Sequence, residues 1–251
     1  MRTLTILTLF FALLCAIATA QHKPRFKALA IAETGGGHAK FDSVAKIWLN
    51  KLAIDSNFTI DYITDTKPIT KAYLSQYQLF IQLDYPPYPW GNEAQQAFKD
   101  YIKKGKGGWI GFHHPTLLGV FDGYPMWRWY SRFMGHIQFE NYIPGGATAT
   151  LNVEDASHPA MQGLPYSFAT RDQWYTYNKS PRGHVHVLAS IDENTYPSTV
   201  KVKMGDHPVV WTNQHVKARN IYIAMGHYTE LLSDPIYTNM VRNALFWAVG
   251  K

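Results

Sequence analysis

Cysteine is almost missing from this chain: Cys15 is the single one in 251 residues, and it lies in an amino-terminal segment read below as a removed leader. The rest therefore has no thiol, which excludes disulfides, thiolate catalysis and cysteine-ligated zinc. There is no Gly-x-Gly-x-x-Gly and no glycine loop followed by Gly-Lys-Ser/Thr, so no nucleotide cofactor is expected. A Gly-x-Ser-x-Gly elbow is also missing, which argues against a serine nucleophile. No Ser/Gly/Pro linker, charge block or internal repeat divides the chain. The net charge of +6 is spread along the sequence rather than clustered, so nucleic acid is not an expected partner. Acid/base chemistry remains, with a divalent metal ion admitted as cofactor.

Residues 1–20 place Arg2 before an apolar run, Leu4 to Ile17, and close on Ala18-Thr19-Ala20. That order is the pattern of a secretory signal peptide, and the run is short for a bilayer span. The mature chain is expected to begin near Gln21, to be periplasmic or secreted, and to have no transmembrane segment. A lipoprotein anchor at Cys15 is less supported, because Leu14 rather than a small residue precedes it.

From Phe26 the pattern alternates strand and helix. Phe26 to Ala32 reads as a strand, Glu33-Thr34-Gly35-Gly36-Gly37-His38 as a glycine turn, and Phe41, Val44, Ala45, Trp48, Leu49 and Leu52 as one helical face. The turn offers a helix amino terminus to an anion or a sugar hydroxyl. Phe58 to Ile63 and Leu79 to Leu83 are further strands, the latter ending at Asp84. Asn92 with Gln95 reads as a cap for a helix running to Lys104. Gly107 to Phe112 is a buried strand that delivers His113 and His114. This alternation predicts an α/β fold, a flavodoxin-like three-layer sandwich with a mostly parallel central sheet.

The second half is more elaborate. Tyr124 to Met134 reads as helical, Ala147 to Val153 and His184 to Ser190 as strands, and 208–212 with 220–225 as paired strands closing the sheet. Asp155 to Pro159 is a turn in which a buried His158 is expected to bond backbone carbonyls. Asp234-Pro235 supplies an N-cap and first-turn proline for a last helix.

In this topology the strand ends bring His38, Asp84, His113, His114, His227 and Glu230 to one rim, where open parallel sheets bind ligands. Histidine there serves as base, acid or neutral metal ligand. His113 has the strongest claim, with Asp172 as a carboxylate held over the cleft and His38 and His227 orienting substrate or metal. Asp84 and Glu230 are candidate substrate contacts. His136 with Glu140, and His184 with His186, have metal-pair spacing but are more simply a loop and an exposed edge. Aromatics make up 15% of the chain, and Trp90, Trp127, Trp129 and Trp174 are candidate sugar-stacking platforms, against the alternative that they are core.

Gly35 to His38, Gly111 to His114, Val153 to Pro159 with Gly163-Leu164-Pro165, Asp172 to Tyr175, Pro208 to Trp211 and Met225-Gly226-His227 together resemble the ThuA-like, or trehalose-utilisation, family of the class I glutamine amidotransferase-like fold. The resemblance spans nearly all of residues 21–251, read as one domain. In amidotransferases of this fold the strand-to-helix elbow carries cysteine; here that place is taken at Phe112-His113, so a cysteine-dependent glutaminase is excluded. Two departures are visible: Gln173 follows Asp172 where the family often has glutamate, and the expected Phe-x-x-His-Pro segment is replaced by Gly135 to Tyr142. The resemblance implies carbohydrate metabolism: a hydrolase or lyase on glucosides or 3-keto-glycosides, supplied by a partner sugar oxidoreductase. The alternatives are a non-catalytic carbohydrate-binding protein and a structural partner of such an oxidoreductase.

Overall fold

The computed structural model describes residues 23–250; the expected signal peptide, its cleavage point and Cys15 lie outside them. Four strands alternate with three helices: β1 (Lys27–Ala32), α1 (Ala39–Ser56), β2 (Thr59–Ile63), α2 (Lys71–Leu74), β3 (Leu79–Leu83), α3 (Asn92–Lys104) and β4 (Gly108–Phe112). There follow α4 (Arg128–Phe133), β5 (Phe139–Tyr142), β6 (Ala147–Val153), β7 (Ser167–Asp172), β8 (Tyr175–Tyr177), β9 (His186–Asp192), β10 (Pro208–Thr212), β11 (Asn220–Ile223) and α5 (Pro235–Val249).

The described residues form a nine-stranded sheet in the order β2-β1-β3-β4-β11-β10-β9-β6-β7. The five strands from β2 to β11 run parallel. Strands β1, β3 and β4 are almost entirely buried, as apolar runs covered on both faces must be. The chain moves outward from β1 to β2 and returns to place β3 on the other side of β1. That reversal is the switch point of a flavodoxin-like sheet, the place beyond the carboxyl ends of the strands where such sheets bind ligands.

Helix α1 buries Phe41, Ala45, Leu49 and Leu52 and ends at Asn57 in the left-handed region. Helix α5 starts as expected, with the Asp234 side chain accepting from Ile236 N–H and Pro235 in the first turn. It packs so closely on β4 that a Cβ at Gly108 would run into the Ala248 backbone.

Several expectations are corrected. The 208–212 and 220–223 strands pair antiparallel but do not close the sheet: β11 is central, and β10, β9, β6 and β7 extend it. The helix expected over 124–134 is only α4, because Pro125 breaks the first part of the segment. Gly91, not Asn92, is the N-cap of α3, with no side-chain capping bond. The His158 ring accepts from Ala160 N–H instead of bonding carbonyls. His184 lies before β9 and packs on His136, while His186 pairs with Asp155, so the two do not form a metal pair. His136 and Glu140 share no helix either, since His136 has φ 62° and Glu140 lies in β5.

Candidate active site at the strand ends

Each parallel strand beside the switch point ends in a titratable side chain. Beyond β1 come Glu33, the glycine turn and then His38, the N-cap of α1. Beyond β3 comes Asp84 with φ 41°, and beyond β4 comes His113 with φ 54° and ψ −84°. Positive φ at residues with a Cβ costs of the order of 1–3 kcal/mol and persists only where surroundings hold it. At His113 they do: its N–H donates to Ile223 O, and its carbonyl accepts from Thr116 N–H, the Thr116 hydroxyl and the Tyr222 hydroxyl.

The held backbone fixes the imidazole. His113 Nδ1 lies 3.0 Å from Ala224 O, so it carries the proton and donates, leaving Nε2 buried and without a partner. His114 repeats the arrangement, with Nδ1 2.6 Å from Asp84 O. Beyond β11, His227 reaches back so that its Nδ1 lies 2.7 Å from His38 Nε2. The His38 ring centroid is 3.9 Å from that of His114 and 5.1 Å from that of His113. His38, His113 and His114 each offer one ring nitrogen, all within 4.8 Å of one another. Four imidazoles thus meet over the switch point.

Carboxyl groups surround them. Glu33 Oε2 is 3.4 Å from His114 Nδ1 and 3.7 Å from His38 Nδ1. Asp84 and Asp42 are buried, and neither has a hydrogen-bond partner on either oxygen. Asp172 is also buried, but it is fully engaged: Oδ1 accepts from Gln173 N–H, and Oδ2 from Gly226 and His227 N–H at 3.0 and 3.3 Å. Gly226 lies close beneath this turn, where a Cβ would come within 3.0 Å of the His113 Cβ and 3.1 Å of Asp84 Oδ1 and crowd both.

Burial governs the charges. It holds the His113 imidazole well below its usual range, reinforced by His114 and His38. His38 is lowered to about 2 by burial, then by His114 and His227, and His227 is lowered chiefly by burial. These rings are neutral near pH 7, the form that ligates metals or donates a hydrogen bond without carrying charge. Burial pushes Asp84 far up, with Asp42, Asp172 and Glu33 adding repulsion, and raises Asp42 to about 8. Asp172 rises to about 7, its three N–H donors opposing the burial.

The sequence candidates fall into three groups. His38, His113, His114, His227 and Asp84 come together as expected of the rim. Asp172 joins them from below, with no exposed surface, as the group that holds the Gly226-His227 turn and lies 3.8 Å from His113 Nδ1. The stacking platforms are corrected: Trp90, Trp127 and Trp174 are core residues. Trp90 is enclosed by Phe80, Phe98 and Trp127, and its Nε1–H donates to Pro86 O. The Trp174 Nε1–H donates to Ala147 O, and Trp129 stacks on Phe133. Glu230 is exposed in a separate groove of about 340 Å³ with Arg171, Thr170 and Tyr228.

Three participants escaped the sequence reading. Asp42 looks like an ordinary first-turn acid, which the helix dipole favours. Tyr175 packs on His113 with ring centroids 4.1 Å apart. His207 bonds both Glu193 and the Tyr175 carbonyl, bracing that strand from behind.

No helix among the described residues is long and apolar enough to cross a membrane. No curated protein matches the chain. Among solved structures it is similar to a ThuA-like protein from Bacteroides uniformis ATCC 8492, with 31% identity and a TM-score of 0.82 over 92% of this chain and 94% of that one. A ThuA-like protein from Parabacteroides merdae ATCC 43184 is 20% identical, with a TM-score of 0.68 over 91% of each chain. The glutaminase domain of Trypanosoma brucei CTPS, solved with bound acivicin, shares the fold at 10% identity, with a TM-score of 0.54 over 89% of this chain and 93% of that one. The family model described as ThuA, trehalose utilisation, matches residues 27–248, and the chain belongs to that family.

Proposed function

We propose that this protein is a carbohydrate-processing enzyme that breaks glycosidic bonds in 3-keto-glycosides, with the parent glucosides as the other substrates to test. The observation that carries the reading is the 2.7 Å contact between His227 Nδ1 and His38 Nε2, at the mouth of a cluster containing Glu33. A keto group at C3 acidifies the C2–H bond, so elimination needs one base and one hydrogen-bond donor. Glu33 is the base: its carboxylate is partly exposed, and its Oε2 has no hydrogen-bond partner. His227 is the donor: with His38 Nε2–H donating to its Nδ1, it keeps Nε2–H for the substrate carbonyl oxygen. A neutral imidazole polarising a carbonyl beside a glutamate base is an established pairing for proton abstraction next to a ketone.

The step balances within the site. Glu33 takes the C2 proton, the electron pair forms the C1=C2 bond, the C1–O bond breaks, and the departing oxygen takes the proton back from Glu33. Water then adds across C1=C2 to give the free 3-keto sugar. Asp172 acts through others: the N–H bonds it accepts hold the His227 turn. An oxidoreductase that makes the 3-keto group belongs upstream. The pattern of residues 1–20 supports a place outside the cytoplasm, in the periplasm or secreted.

The test is incubation with a panel of glucosides and their 3-keto forms, reading released aglycone by mass spectrometry and binding by calorimetry. Release from the keto forms is expected. Binding without release would instead make the protein a carbohydrate-binding module, a reading that the buried tryptophans leave with little surface to use.

A further inference from the structure

Eight buried side-chain nitrogen and oxygen atoms among the described residues lack a hydrogen-bond partner, and six of them belong to this one site: Glu33 Oε2, both oxygens of Asp42, both oxygens of Asp84 and His113 Nε2. Buried polar atoms are almost always satisfied, so such a concentration at one place marks something the site is built to receive. With His113 holding its proton on Nδ1, its Nε2 is an acceptor, and the carboxyl groups are acceptors whenever ionised. What is missing is a hydrogen-bond donor or a cation, and the imidazole set beside these atoms favours the cation.

The three imidazoles are prepared for it. His113 and His114 each spend Nδ1–H on a backbone carbonyl, of Ala224 and Asp84, which fixes the tautomer with Nε2 free. His38 is steadied by His227. Metal-bound histidines are oriented in this way, the second nitrogen donating to a carbonyl, a carboxylate or another acceptor. Histidine sets of this kind select zinc and its first-row neighbours, whereas calcium and magnesium prefer oxygen cages.

We infer that His38, His113 and His114 bind one divalent first-row transition-metal ion of the zinc class, with Glu33 on its open side and Asp84 holding the His114 ring from behind. Three histidines leave a coordination position for water or a substrate oxygen, as catalytic rather than structural zinc sites do. Bound there, the ion would polarise a substrate carbonyl. The inference concerns binding alone and stands whether or not the substrate is a keto-glycoside.

The test uses the mature protein, stripped with a chelator and titrated with zinc by calorimetry and with cobalt by visible absorption. One equivalent of each ion is expected, with a cobalt d–d spectrum of nitrogen ligation and a rise in Tm on zinc addition. His38→Gln and His114→Gln should each weaken zinc binding at least tenfold. The surface pair His136 and His184, whose rings lie 4.2 Å apart, is the control: His136→Ala/His184→Ala should bind as the wild type does. The wild-type cobalt spectrum needs no variant, so misfolding of one does not spoil the result. Failure of the wild type to take up either ion, or loss of binding only in the His136/His184 variant, would overturn the inference.

Discussion

His227 Nδ1 and His38 Nε2 lie 2.7 Å apart although 189 positions separate them in the chain, because β1 and β11 end at the same rim of the sheet. One proton must lie between the two nitrogens, and the ring orientation it fixes is what the proposed chemistry uses. His227→Gln should lower kcat on a 3-keto-glycoside by roughly 10²–10⁴-fold, the usual loss on removing such a group. The thermal midpoint should hardly move, since the side chain is only half-buried. Steady-state kinetics with a melting curve on the same sample checks both.

Asp172 is predicted to matter for stability first. Asp172→Ala would leave the N–H groups of Gln173, Gly226 and His227 without their acceptor. Each buried orphan costs about 1–3 kcal/mol, so urea denaturation should show a loss of several kcal/mol. Asp172→Asn keeps one acceptor oxygen and should fall in between.

Trp174→Ala should destabilise by about 3–5 kcal/mol, as large core truncations do. KM for any sugar substrate should stay near the wild-type value in whatever fraction folds. A tenfold rise in KM with unchanged stability would restore the ring as a sugar platform.

Asp42 supplies a pH signature. Its carboxyl is raised to about 8 by burial and by Glu33, with Asp84 also close enough to repel it. A folded-state value above the unfolded 3.8 means a contribution fully present below pH 3.8 and lost as pH rises through about 8. The metal-stripped protein should therefore lose stability progressively from about pH 4 to about pH 8 and level off above that, and Asp42→Asn should lessen the decline. Denaturant midpoints across this range are the readout.

Much of this was readable from residue order. The parallel strands, the final helix and the rim of histidines followed from apolar runs, a proline-led N-cap and the rule that such sheets bind ligands at their carboxyl ends. What escaped was anything set by side-chain environment. Composition cannot say which face of a tryptophan is covered, so Trp90, Trp127 and Trp174 read as platforms though the aromatic cluster and β-sheet enclose them. Asp42 was hidden because a first-turn acid on a helix is ordinary; only its burial beside Glu33 makes it unusual. Asp172 is legible as a candidate, but its full burial and its bonds to backbone N–H groups are not, since N–H groups gathered from Gly226 and His227 leave no trace in sequence. The β5–β8 pair went unread for its shortness and irregular register.

The central claim, proton abstraction at the histidine and glutamate rim, is tested most directly by proton NMR of a 3-keto-glucoside incubated with the protein in D₂O. Deuterium should appear at C2 of the released 3-keto sugar faster than in an enzyme-free control, and Glu33→Gln should abolish that excess. Release of sugar with protium retained at C2, or no release at all, would contradict it.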